Sequence, residues 1–88
     1  METRVAVVSI IVENMGSTAG INAVLHDYGK YIIGRMGIPY RERGISVICV
    51  VMDAPQDVIS ALSGKVGKLI GVTTKTAYSN MIFETETV

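Results

Sequence analysis

Two side chains of this sequence could do chemistry on their own, His26 and Cys49, and each occurs in a single copy. Histidine can bind a metal or act as a proton switch near neutral pH. A cysteine within a strand more often packs as a small hydrophobic residue. A metal site needs several ligands at set spacings, and this pair does not supply them. We therefore expect no metal or cofactor within one chain, and leave open only a metal shared between copies.

A second kind of chemistry is ligand binding at the turn formed by residues 13–17, which precedes a helix. Free N–H groups at a helix start can hold a carboxylate or phosphate, although an ordinary strand-to-helix turn has the same composition. Arg35 stands between two glycines and could bind an acidic ligand or form a subunit salt bridge; the alternative is a surface arginine on an edge strand. The predicted ligand-binding residues are Asn14, Met15, Gly16, Ser17, Thr18 and Arg35.

Catalysis is not predicted, because no nucleophile, base and orienting group occur together in the sequence. The serines fall at predicted helix starts, strands and turns, and only one histidine is present to activate them. The segment SGKVG at residues 63–67 lacks the spacing of a phosphate-binding loop. We read it as a helix end, with lysines that complement the helix dipole, and predict that the protein is not an enzyme.

The first two elements that would position these residues follow from hydrophobic spacing. Residues 4–13 carry apolar side chains at both parities, which is typical of a central strand covered on both faces. A helix follows, because apolar residues recur at i, i+3, i+4 and i+7. Its stripe consists of Ile21, Val24, Leu25 and Tyr28. Ser17 or Thr18 could cap its start, and Gly29 could end it.

A hairpin is predicted next. Residues 31–40 resemble a strand, but two glycines and a proline within it indicate a bulge, a bend or a sheet edge. A polar turn at residues 41–44 leads to residues 45–52, the strongest strand of the chain and apolar on both faces. The hairpin would therefore place a weak edge strand beside a strong central one.

The last part of the chain contains a second helix and a final strand. Asp53 or Ala54 would cap the helix, with Pro55 in its first turn. Its apolar stripe consists of Val58, Ile59, Leu62 and Val66. The segment Val72–Tyr78 alternates with threonine, as a half-exposed strand does. We predict one domain over residues 1–78 and a tail over residues 79–88, in which residues 81–83 could add a strand to a neighbour.

The predicted order βαββαβ indicates an α+β sandwich of the ferredoxin-like type, with one antiparallel sheet and both helices on one face. Nothing in the chain covers the other face, although two strands are apolar on both sides. The chain is 49% hydrophobic within only 88 residues, so apolar surface is left over. We therefore expect a homo-oligomer, a dimer or tetramer, that forms through the sheet.

Composition excludes several partners. The chain has 8 basic and 8 acidic residues, which disfavours direct nucleic-acid binding, and no apolar run is long enough to span a membrane. Residues 1–4 lead directly into a strand without a cleavage site. A single cysteine cannot form an internal disulfide. A reducing, cytoplasmic location is therefore expected.

Three functions that occur on this fold are excluded, because each requires residues that the sequence lacks. An RNA-binding module needs aromatic residues on its first and third strands, and residues 4–13 and 45–52 contain none. A copper chaperone needs a C-x-x-C motif in the first loop, which has no cysteine. An acylphosphatase-like enzyme needs an arginine in that loop, and residues 13–20 contain none. A regulatory domain, which pairs through its sheet and binds a small ligand, remains.

Two segments carry a resemblance to a known family: RMGIPYRE at residues 35–42 and ALSGKVG at residues 61–67. Together they resemble a small family of ACT-like proteins described as regulators of iron-only hydrogenase systems, and the similarity extends to Thr76. The resemblance implies a ferredoxin-like fold related to ACT domains and to the sensor half of nickel-responsive repressors. It also implies a dimer or tetramer with a regulatory, ligand-sensing role.

The departures from these relatives limit what the resemblance implies. A nickel sensor would need several histidines, and a repressor would need a DNA-binding segment for which the chain has no room. ACT domains often bind amino acids near the first strand-to-helix turn, where Gly16 matches the expected glycine and Glu13 only loosely matches an acidic residue. The alternative function is an assembly protein that docks on a protein partner without a small ligand.

Overall fold

The computed structural model describes residues 1–85 and contains a sheet with two helices packed against it. The elements are β1 (Glu2–Val12), α1 (Thr18–Asp27), β2 (Ile32–Tyr40), β3 (Ile45–Ala54), α2 (Gln56–Gly67), β4 (Val72–Tyr78) and β5 (Phe83–Glu84). Short 3-10 turns lie at Met15–Ser17, Gly29–Tyr31 and Arg41–Arg43. The βαββαβ order predicted from the sequence is confirmed, with one further strand at its end.

The sheet is antiparallel, with strand order β2-β3-β1-β4. The tail differs from the expectation that it could extend a neighbour, because β5 pairs with Glu2 and Thr3 of its own chain. The division into a domain at 1–78 and a tail at 79–88 stays a prediction, and residues 86–88 of that tail lie outside the described residues. β2 is an edge strand along its whole length, which determines where the candidate site forms.

The core lies between the helices and the inner face of the sheet. Alternate residues of β1 and β3 point towards the helices, which contribute the apolar stripes read from the sequence. The buried residues from these four elements are Ala6, Val8, Ile10, Val12, Ile21, Leu25, Ile48, Val50, Met52, Ala54, Ile59, Leu62 and Val66. One continuous apolar layer therefore holds the helices onto the two central strands.

The second helix begins later than the sequence predicts. β3 continues to Ala54, which is fully buried, so Asp53 and Ala54 belong to the strand and not to a helix cap. Pro55 is the N-cap, and its carbonyl accepts hydrogen bonds from the N–H groups of Val58 and Ile59. Pairing with β1, in which Arg4 lies opposite Ala54, keeps these residues in the strand.

The opposite face of the sheet has no cover among residues 1–85, and we call it the open face. Its apolar side chains come from β1, β2 and β3: Val5, Val7, Ile11, Met36, Ile38, Tyr40, Val47, Cys49 and Val51. Val7, Ile11 and Met36 are 37%, 41% and 57% exposed, respectively. The expectation that β1 and β3 are apolar on two sides holds, but within one chain only one side is buried. Such a contiguous apolar surface is typical of an interaction site.

Candidate ligand-binding site

A groove of about 220 Å³ lies between β2 and the first turns of α1. Its polar lining consists of Thr18, Asn22, Arg35 and Ser46, and its apolar lining includes Val12, Met15, Pro39 and Ile48. A cationic group beside an apolar wall suits a small ligand with a charged end and an apolar end. We call this cavity the Arg35 groove.

Gly37 leaves a gap in the helix-facing side of β2, between Arg35 and Pro39, and this gap contributes to the groove. Gly37 pairs with Ile48 at the groove wall, and a Cβ added to Gly37 would meet nothing within 4 Å. The helices cover the central strands but leave this part of the edge strand exposed. A missing side chain therefore leaves space next to a charged one.

Arg35 closes one side of the groove and connects two elements. It lies opposite Val50 in the sheet register, which places it on the helix side of β2. Its Nη2 donates a hydrogen bond to Asn22 Oδ1 of α1 at 3.2 Å. No carboxylate among residues 1–85 forms an ion pair with Arg35, and no acidic residue lines this cavity. The positive charge is therefore available for an anionic ligand.

The turn residues predicted as ligands divide into two groups. Met15 and Thr18 line the Arg35 groove. Asn14, Gly16 and Ser17 do not line it and instead make bonds that hold the turn. Gly16 N donates to Asn14 Oδ1 at 2.9 Å, and Ser17 Oγ donates to the carbonyl of Ile70 at 2.6 Å. The structure thus brings Met15 and Thr18 together with Arg35, while the other three residues shape the turn beneath them.

The remaining titratable candidates lie away from the groove. His26 is exposed near the end of α1, and Cys49 is half-buried on the open face. Within residues 1–85 there is no group of three His, Cys, Asp or Glu side chains that could hold a metal ion. The Lys65 ammonium lies 5.0 Å from the centre of the Tyr28 ring, and a hydrogen bond to the Tyr28 hydroxyl raises the pKa of Lys65. That contact joins α1 to α2 and not to a ligand.

A comparison with protein families identifies the family of the chain. The family model named TM1266-like, described as a proposed iron-only hydrogenase system regulator, matches residues 4–76. The chain belongs to this family. A comparison with curated protein sequences finds no match. The resemblance inferred from the segments at 35–42 and 61–67 is therefore confirmed.

Several solved structures are similar to this TM1266-like chain. The uncharacterized protein TM1266 from Thermotoga maritima superposes with a TM-score of 0.83 at 34% identity, and the match covers 86% of this chain and 96% of that one. A formyltetrahydrofolate deformylase from Pseudomonas putida KT2440 superposes with a TM-score of 0.65 at 16% identity, over 88% of this chain and 29% of that one. The second match concerns the fold alone, which is ferredoxin-like and ACT-like as predicted.

Neither of the two helices within residues 1–85 combines the length and the apolar character that crossing a bilayer requires.

Seven groove residues of the TM1266-like chain were not predicted from the sequence as ligand contacts: Val12, Asn22, Gly37, Ile38, Pro39, Ser46 and Ile48. Asn22 follows Thr18 by four residues, so the two share one face of α1. That spacing, one polar pair beside the apolar stripe, is a signal that could have identified Asn22. Gly37 and Ser46 carry no comparable signal, because they reach the groove only through pairing of β2 with β3.

Gly71 holds the turn that leads into the groove, and we predict that Gly71→Ala destabilises the protein strongly. Gly71 has φ +69°, and an added Cβ would lie 2.6 Å from Asn14 Cβ and 2.9 Å from Asn14 N. The left-handed backbone costs an alanine about 1–2 kcal/mol, and the clash adds about 1–3 kcal/mol. Thermal unfolding measures the sum, at about 4–8 °C per kcal/mol for a domain of this size.

Gly44 offers the matched control for that substitution. It has φ +66°, but a Cβ added there would meet nothing within 4 Å. Gly44→Ala therefore carries only the backbone cost, and its melting temperature should fall less than that of Gly71→Ala. Equal losses in the two variants would show that the contact of Gly71 with Asn14 contributes nothing.

Proposed function

We propose that this TM1266-like protein is a regulatory domain that senses a small ligand and acts as an oligomer. The observation that carries the proposal is the Arg35 groove, which combines a charge without an ion-pair partner in the described chain, an apolar lining and a gap at Gly37. The description of the family supports a link to an iron-only hydrogenase system. A cytoplasmic, non-enzymatic role fits that description.

The oligomer part of the proposal rests on the open face. This surface carries the half-exposed apolar residues of three strands, while its charged residues, Lys75 and Asp53, lie on β4 and at the end of β3. Burial of apolar area stabilises association by roughly 25 cal/mol per Å² before the costs of ordering are subtracted. We propose that a second copy covers the open face, as a dimer or as part of a tetramer.

A ligand screen tests the sensing role. Melting temperatures would be measured with amino acids, nucleotides, short-chain carboxylates and divalent metals at millimolar concentrations. A ligand at 100 times its dissociation constant adds about 2.7 kcal/mol, so a true ligand raises the melting temperature by about 10 °C or more. Absence of any such shift in the whole screen would contradict ligand sensing.

The variant Gly37→Val tests whether the ligand binds in the Arg35 groove. The valine side chain would project into the groove and reduce its volume, and its Cβ meets no neighbour within 4 Å, so the fold should persist. β-branched residues are also favourable in strands. We expect Gly37→Val to melt near the wild-type temperature and to lose the shift that the ligand produces. A variant that keeps the full shift would exclude the Arg35 groove as the binding site.

The second candidate function is an assembly protein that docks on a partner protein and binds no small ligand. The open face favours it, because a heterologous partner could cover the same apolar surface. If the protein is an assembly protein, a charge on the open face, as in Val51→Asp, should remove the partner from a native pull-down. Gly37→Val should leave the complex intact. If the protein senses a ligand, Gly37→Val should reduce the melting shift that the ligand produces. Val51→Asp should instead reduce the mass of the oligomer.

A further inference from the structure

We propose that the Arg35 groove selects small organic acids that lack an ammonium group, and that it discriminates against amino acids. The inference rests on the proposed sensing function and names the class of ligand. It follows from an imbalance between hydrogen-bond donors and acceptors around the cavity. Each side of that imbalance can be traced to particular groups.

The donors around the groove outnumber the acceptors. Arg35 has five N–H donors, and within the described chain only Nη2 is engaged, with Asn22 Oδ1. This bond fixes the orientation of the Asn22 amide, because an arginine cannot donate to an NH₂ group. The amide therefore presents its NH₂ group, and Thr18 adds a hydroxyl from the first turn of α1. A carboxylate can accept from all three groups.

An ammonium group has no carboxylate partner in the same cavity. Neither Asp nor Glu lines the groove, and the side-chain acceptors that remain are neutral: the hydroxyls of Thr18 and Ser46 and the second lone pair of Asn22 Oδ1. The first turn of α1, where Thr18 lies, brings the positive end of the helix dipole to the groove. The Arg35 charge would also repel an ammonium placed beside it.

The size of the groove limits the rest of the ligand. A volume of about 220 Å³ lies below the roughly 300–1,000 Å³ that is typical of pockets for drug-sized ligands. The apolar part of the lining includes Val12, Met15, Pro39 and Ile48. A carboxylate with a short branched carbon chain fills such a space, and the chain would pack on these four residues.

A matched pair of compounds tests the inference: 2-oxoisovalerate and L-valine share one carbon skeleton and differ at the second carbon, which carries a carbonyl or an ammonium group. Isothermal titration of the full chain with each compound gives the two dissociation constants. We expect 2-oxoisovalerate to bind at least tenfold more tightly than L-valine. Equal or tighter binding of L-valine would overturn the selectivity and leave the sensing function standing.

Two variants localise the effect. Arg35→Gln should weaken the binding of 2-oxoisovalerate at least tenfold, because it removes the only cation among the groove residues. Arg43→Gln makes the same change of charge in the turn after β2, outside the groove lining, and should bind as the wild type does. Unchanged binding in Arg35→Gln overturns the proposal. The proposal is also overturned if neither compound binds. The sensing function is contradicted as well only if the wider screen gives no shift in melting temperature.

Discussion

Val50→Asp prevents the domain from folding. Val50 is fully buried, pairs with Val8 across the two central strands and faces the helices. An unpaired carboxylate there costs several kcal/mol, and domains of this size have a total stability of about 5–15 kcal/mol, with small ones near the lower end. Far-ultraviolet circular dichroism and thermal melting measure the loss. We expect no cooperative melting transition.

The contrary result for this variant would be a cooperative transition near the wild-type temperature. Since the helix-facing side of β3 also holds Ile48, Met52 and Ala54, such a result would mean that the helices do not pack on this face. It would remove the core on which the positions of the groove and the open face depend.

We expect Val51→Asp to keep the fold and to dissociate the proposed oligomer. Val51 is the next residue along β3, lies opposite Val7 and faces away from the helices on the open face. In one chain its side chain is only partly buried, so the carboxylate can remain hydrated. If a second copy covers the open face, the same charge is buried at the interface, where it costs several kcal/mol. Light scattering at micromolar concentration should give a monomer mass for the variant and at least a dimer for the wild type.

Val50 and Val51 serve as controls for each other, because they place the same charge at neighbouring positions of one strand. A Val51→Asp protein that keeps the wild-type mass would show that the open face is not the contact between copies. A wild-type protein that is monomeric at micromolar concentration would contradict the proposed oligomer. Loss of folding in Val51→Asp would mean that the open face is part of the core.

The sequence predicts the element order well because the strongest signals are local. The stripe at Ile21 and Leu25 and the stripe at Ile59 and Leu62 both become buried. The same reasoning does not tell which parity of β3 faces the helices, since both are apolar. That choice depends on the register between β1 and β3 and on where the helices pack, which are tertiary properties.

Element ends and the candidate site illustrate the limit of sequence reasoning. Asp53 and Ala54 have the composition of a helix start, but pairing with β1 keeps them in a strand. Arg35 could be singled out as an isolated charge between glycines. Its contact with Asn22 could not be predicted, because it joins an edge strand to a helix thirteen residues earlier in the sequence. A groove between two elements requires their relative placement, which local patterns do not encode.

Amide chemical shifts of isotope-labelled protein test most directly whether a small ligand binds in the Arg35 groove. During titration with 2-oxoisovalerate, we expect the largest shifts at Thr18, Asn22, Arg35 and Gly37, and none at His26 at the far end of α1. The same titration of Gly37→Val should leave the spectrum unchanged. Shifts that cluster around Cys49 on the open face, or no shifts at any concentration up to millimolar, would contradict the account.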